Sequence, residues 1–94
     1  LTSGTNVISL LSKTSGRAAY IDYYVMSGNT MRAGTVIATW NSLDNVVYTD
    51  YSTQDLDSST ASILLSVDIS GSDIRLLVTI TSGTWDIKSS IKII

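Results

Sequence analysis

The 94-residue chain has no cysteine, histidine, proline or phenylalanine, and all eight of its acidic residues are aspartates. Each gap closes a class of function. Without cysteine there is no disulfide framework, and without histidine as well there is no soft or imidazole ligand set for zinc. The usual partnership of a Ser, Cys or Thr nucleophile with a histidine base is equally out of reach. Charged residues make up 15% of the chain, against about 25% in an average domain. A net charge of −2 supplies no basic field for nucleic acid and no attraction to an anionic membrane surface. No apolar run approaches membrane-spanning length. The sequence therefore predicts no cofactor, no nucleic-acid partner and no membrane insertion.

What is present favours strands. Ser and Thr account for 28 residues, Val, Ile and Tyr are frequent, and Glu is absent, a mixture that suits pleated sheet and turns over helix. The length fits one domain spanning residues 1–94 with a modest core. The first residue is Leu, so the chain is expected to be a C-terminal fragment of a longer one.

Turn signals allow strands to be registered against each other. In "SILLSVDISGSDIRLLVTIT" (62–81) a two-residue loop at Gly71-Ser72 pairs Ile69 with Ile74, Val67 with Leu76, Leu65 with Val78 and Ile63 with Ile80. All eight share one face, and the other face sets Asp68 opposite Arg75, a favourable cross-strand pair. A loop at Gly83-Thr84 repeats the design. It pairs Ile80 with Ile87, Leu76 with Ile91 and Ile74 with Ile93, which predicts a three-stranded meander over residues 62–93 with Trp85, Ile87, Ile91 and Ile93 inward.

A third loop, at Gly28-Asn29, folds residues 18–40 so that Ala19 faces Ala38, Ile21 faces Val36, Tyr23 faces Gly34 and Val25 faces Arg32. Tyr23 can then lay its ring over the bare backbone of Gly34. The opposite face carries Tyr20–Ile37, Asp22–Thr35, Tyr24–Ala33 and Met26–Met31, of which only Asp22–Thr35 is clearly polar. Residues 46–52 are expected to continue the sheet, pairing Trp40 with Val47 and Val36 with Tyr51, and residues 6–13 add a further strand. The prediction is all-β: an antiparallel β-sandwich, jelly-roll-like or a small barrel, of about seven strands.

Catalytic candidates are sparse. Lys13, Lys88 and Lys92 are the only alternatives to a histidine base, and two of them point outward on the last strand. Asp50, Asp55 and Asp57 cluster near the longest connection but lack the spacing and central glycine of an EF-hand loop. Nothing selects a pair of the scattered aspartates for glycoside hydrolysis, and no enzyme activity is expected.

The second face of the 18–40 hairpin is the main functional clue. Tyr20, Tyr24, Met26, Met31 and Ile37 form a candidate interface. Subunit or intersheet contact is the favoured role, with intrachain core and ligand binding as the alternatives. Tyr48, Asp50, Tyr51 and Asp55 form a candidate ligand-binding set beside Tyr20 and Tyr24.

The stretches "AAYIDYYV…GNTMRAGTV…W", "YTDYST" and "LLSVDISGSDIRLLVTITSGTWDIK" together resemble a small β domain found in tail-fibre and other virion structural proteins of tailed bacteriophages. The matching features are Ile21-Asp22-Tyr23, Arg32-Ala33-Gly34-Thr35, Tyr48 with Asp50, the Ser70-Gly71 turn and Trp85, spread over residues 17–88. The resemblance implies a non-enzymatic structural or host-recognition module on the surface of a virion or similar extracellular particle. It implies a homo-oligomer, with a trimer favoured, or packing on another virion protein. A host cell-surface glycan is the alternative partner.

Overall fold

A computed structural model describes residues 1–94 as seven strands with no helix. The strands are β1 (Gly4–Ser12), β2 (Ala18–Ser27), β3 (Thr30–Trp40), β4 (Val46–Ser52), β5 (Ile63–Ser70), β6 (Asp73–Ile80) and β7 (Asp86–Ile93). They form two antiparallel sheets, a three-stranded β1-β6-β5 and a four-stranded β4-β3-β2-β7. The predicted β-sandwich is therefore the observed architecture.

Local turn chemistry sets two of the hairpins. Gly28 and Gly71 adopt φ of 60° and 61°, while Asn29 and Ser72 stay at negative φ, the pattern of the II′ turn that matches strand twist. Both predicted registers hold residue for residue. Alternation then sends one side of each hairpin inward. Ile21, Val25, Val36 and Ala38 meet Leu65, Val67, Leu76 and Val78 in a core of sixteen buried hydrophobic residues. Trp40 and Trp85 belong to it, and each buried indole N–H finds a carbonyl, Lys13 O at 2.9 Å and Ser82 O at 3.0 Å. Gly34 is needed where it stands, because a Cβ there would lie 2.9 Å from the Tyr23 hydroxyl and press on the β4 backbone.

Two registers differ from expectation. β7 does not continue the β5–β6 meander. It crosses to the other sheet and pairs with β2, setting Ile21 opposite Ile91 and Val25 opposite Ile87. The free side of β6 is taken by β1, whose bulge between Val7 and Ser9 keeps the strand in contact with β6 along its length. An alternating strand can present the same residues to the core from either sheet, so its pattern does not choose a neighbour. At the sheet edge Ile87 and Ile91 are only half-buried and Ile93 is exposed.

The second difference is a one-residue shift of β4. Trp40 pairs with Val46 and Val36 with Asp50. Asn41 sets this, because its side-chain oxygen accepts from the backbone N–H groups of Leu43 and Asn45, closing a five-residue loop in which Asp44 takes φ of 62°. A one-residue shift exchanges the two faces of a strand. Tyr51 consequently faces outward beside Thr35, and Asp50 lies on the core side.

Candidate functional site

The four-stranded sheet turns one face to the core and the other to the outside. The registers build that outer face row by row. Thr49, Ile37, Tyr20 and Lys92 form one row, and Tyr51, Thr35, Asp22 and Ser90 form the next. Beyond them come Ala33, Tyr24 and Lys88, then Met31, Met26 and Asp86. The five sequence-predicted interface residues thus share one surface. Tyr20 is 38% exposed, whereas Tyr24, Met26, Met31 and Ile37 are half-buried by their neighbours in the sheet.

The shift of β4 brings onto this surface three side chains that the predicted register turned inward, Thr49, Tyr51 at 63% exposure and Val47 at 66%. The signal that could have found them is the Asn41-to-Asn45 turn, whose length decides which β4 residues face out. Tyr20, Ile37, Val47, Tyr48 and Tyr51 surround a shallow cleft of about 330 Å³. At the centre of the face, Asp22 accepts a 2.6 Å hydrogen bond from the Thr35 hydroxyl, so this polar pair is partly satisfied without an outside donor. The β7 margin is polar and charged, with Asp86, Lys88, Ser90 and Lys92 all exposed.

The predicted ligand-binding residues are distributed differently. Tyr51 faces the cleft, Tyr48 borders it from the core side of β4, and the two aspartates bond to groups of their own chain. Asp50 accepts a 2.7 Å hydrogen bond from the Tyr23 hydroxyl. Burial, reinforced by this carboxylate, pushes the Tyr23 phenol up to about 12. Asp55 accepts from the hydroxyl and, at 3.1 Å, the backbone N–H of Thr60. Those bonds, the hydroxyl's first, hold its carboxyl below the ordinary range.

Arg32 joins the two aspartate contacts from the core side. It donates to Thr60 Oγ1 at 3.1 Å and stands 6.0 Å from the Tyr23 ring centroid. Together these contacts fasten the connection after β4 across the end of the sandwich, and Leu56 extends it by pairing its backbone with Met31. Asp57 turns to the Thr30 hydroxyl at 3.4 Å. The three aspartates of this region therefore have three different partners, and no group of His, Cys, Asp or Glu side chains converges as metal ligands would.

Hydroxyl pairs occur at Ser9–Ser89, Ser12–Thr14 and Thr5–Thr79. Each joins two hydroxyls of similar acidity. What the surface offers is area for contact: apolar and aromatic side chains side by side on three strands.

No protein family, curated protein or solved structure matches this chain.

Proposed function

We propose that this domain is a non-enzymatic structural module that assembles with neighbouring copies of its own chain through the outer face of the β4-β3-β2-β7 sheet. The observation that carries this is the run of Tyr20, Ile37, Val47 and Tyr51 across three adjacent strands. Contiguous exposed apolar area of this kind marks association surfaces. The charged β7 margin and the internally bonded Asp22–Thr35 pair suit an interface with an apolar centre and a polar rim. A place in a phage tail fibre or other virion appendage, and trimeric assembly, rest on the sequence resemblance of residues 17–88 alone.

Size-exclusion chromatography with light scattering tests the assembly. The chain is expected to form an oligomer at micromolar concentration, and Tyr20→Asp is expected to disperse it with little change in thermal stability. A native chain that stays monomeric overturns the proposal.

The cleft beside Tyr20 and Tyr51 favours a second role, stacking on the rings of a host-surface glycan. Calorimetric titration with purified host polysaccharide would register binding that Tyr51→Ala weakens at least tenfold. No heat from the native oligomer would dismiss this role and leave the assembly proposal intact.

A further inference from the structure

Beyond the face, the edge of the same sheet has its own arrangement. The bonds Asn41 N–H to Asn45 O and Thr53 N–H to Ala33 O bracket the β3–β4 ladder. Antiparallel pairing alternates, so Val47, Thr49 and Tyr51 bond to β3, whereas the N–H and C=O groups of Val46, Tyr48, Asp50 and Ser52 point away from it. No turn, loop or side-chain bond reaches those groups. The three-stranded sheet is one strand narrower than the four-stranded one; β5 lies near β4, yet every residue from Val47 to Ser52 is exposed.

Natural sheets protect such an edge with lysine, proline, a bulge or a covering segment. Two of the other three edges of this sandwich carry such devices. β1 has its bulge, and β7 is flanked by Lys88 and Lys92 and tied to β1 through Ser89 and Ser9. β4 has no lysine, arginine, proline or bulge.

We propose that β4 is a self-pairing edge, on which β4 of a second copy docks antiparallel about a two-fold axis through Thr49. The register follows from the free groups. For all four outward-pointing residues to find partners, Val46 must face Ser52 and Tyr48 must face Asp50, each pair exchanging both backbone bonds. That register places Val47 opposite Tyr51 and Thr49 opposite its own copy. β-Branched with aromatic and Thr with Thr are favourable cross-strand pairs, and no like charges meet, because Asp50 faces Tyr48. The edge of β5 is less suited to the same operation: pairing about Ser66 would set exposed Leu64 against Asp68, a carboxylate already held by Arg75. β4 pairing would fuse two four-stranded sheets into one of eight, with the two apolar outer faces continuous across the axis.

The chain has no cysteine, so single cysteines report the register. Opposed residues at Thr49 form a non-hydrogen-bonded pair with Cα atoms about 4.5 Å apart, within disulfide range. Val47 and its own copy would lie about 14 Å apart at 3.4 Å per residue. In a glutathione redox buffer, Thr49→Cys is expected to form a disulfide dimer and Val47→Cys alone is not, while a mixture of Val47→Cys and Tyr51→Cys chains cross-links. Thr49→Lys, which opposes two ammonium groups on the axis, is expected to weaken dimerisation at least tenfold in light scattering. Tyr48→Pro removes an outward N–H without touching the β3 ladder and should act in the same direction.

Failure of Thr49→Cys to cross-link, or equal cross-linking by Val47→Cys, overturns the pairing. So does assembly that Tyr20→Asp abolishes and Thr49→Lys does not, an outcome that leaves the face contact standing.

Discussion

The β2–β3 and β5–β6 hairpins are built alike inside and unlike outside. Each turns on a glycine with φ near 60°, and each sends apolar side chains into the core. On the outside of β5–β6, Leu64 and Leu77 alternate with Ser66, Asp68, Arg75 and Thr79, and Arg75 grips Asp68 through two bonds of 2.8 and 2.6 Å. On the outside of β2–β3, Tyr20, Ile37, Tyr24, Met26 and Met31 surround a single polar pair. The β5–β6 exterior joins an exposed Leu64 to a charged pair, whereas the β2–β3 exterior is apolar around one polar pair.

The inner likeness predicts the largest effects. Ile21 and Leu76 are both fully buried, one from each hairpin. Ile21→Ala and Leu76→Ala should each cost about 3 kcal/mol in denaturant unfolding. A cost at Ile21 well below that at Leu76 would break the equivalence and mark the four-stranded sheet as the softer layer.

A middle-sized effect concerns Tyr23, which has no counterpart in β5–β6. Tyr23→Phe keeps the ring over Gly34 but removes the bond to Asp50, for an expected loss of about 1 kcal/mol. The phenol ordinarily titrates at 10.0 and is raised to about 12 in the fold. The folded state thus holds this proton more tightly than the unfolded chain. Its contribution is complete below pH 10 and is lost as pH rises from 10 towards 12. Thermal melts over that range should decline less steeply for Tyr23→Phe than for the native chain, and parallel declines would contradict the assigned burial.

The smallest effect lies on the outside of β5–β6. Arg75's hydrogen bonds hold the Asp68 carboxyl below its ordinary 3.8, so the pair's contribution is present above that pH and lost as pH falls through the lower folded value. The site is well exposed, so Asp68→Asn should give only a slight, salt-screened drop in melting temperature. Its difference from the native chain should shrink below pH 3. A difference that persists there would assign the effect to packing rather than charge.

Much of the fold was legible because it is local. A two-residue glycine loop determines which residues face each other, and alternation determines which side is apolar. Hence Ile63 to Ile80 and Ala19 to Ala38 could be placed from the chain alone, as could the shared face of Tyr20, Tyr24, Met26, Met31 and Ile37. The candidate ligand set was less legible. Tyr48, Asp50, Tyr51 and Asp55 are close in sequence, yet the register of β4 and the bonds of Tyr23 and Thr60 send them to different surroundings.

The sequence by itself determined an all-β chain, two hairpins with their registers and an apolar second face on one of them, because turn geometry and two-residue periodicity act over a few residues. Only the folded chain decided that β7 joins β2 instead of β6, and that the outer edge of β4 is left unpaired. It also placed Arg32 and the post-β4 connection across the end of the sandwich. Those choices depend on which distant strand offers an open edge and a matching apolar row, and only the assembled core supplies that competition.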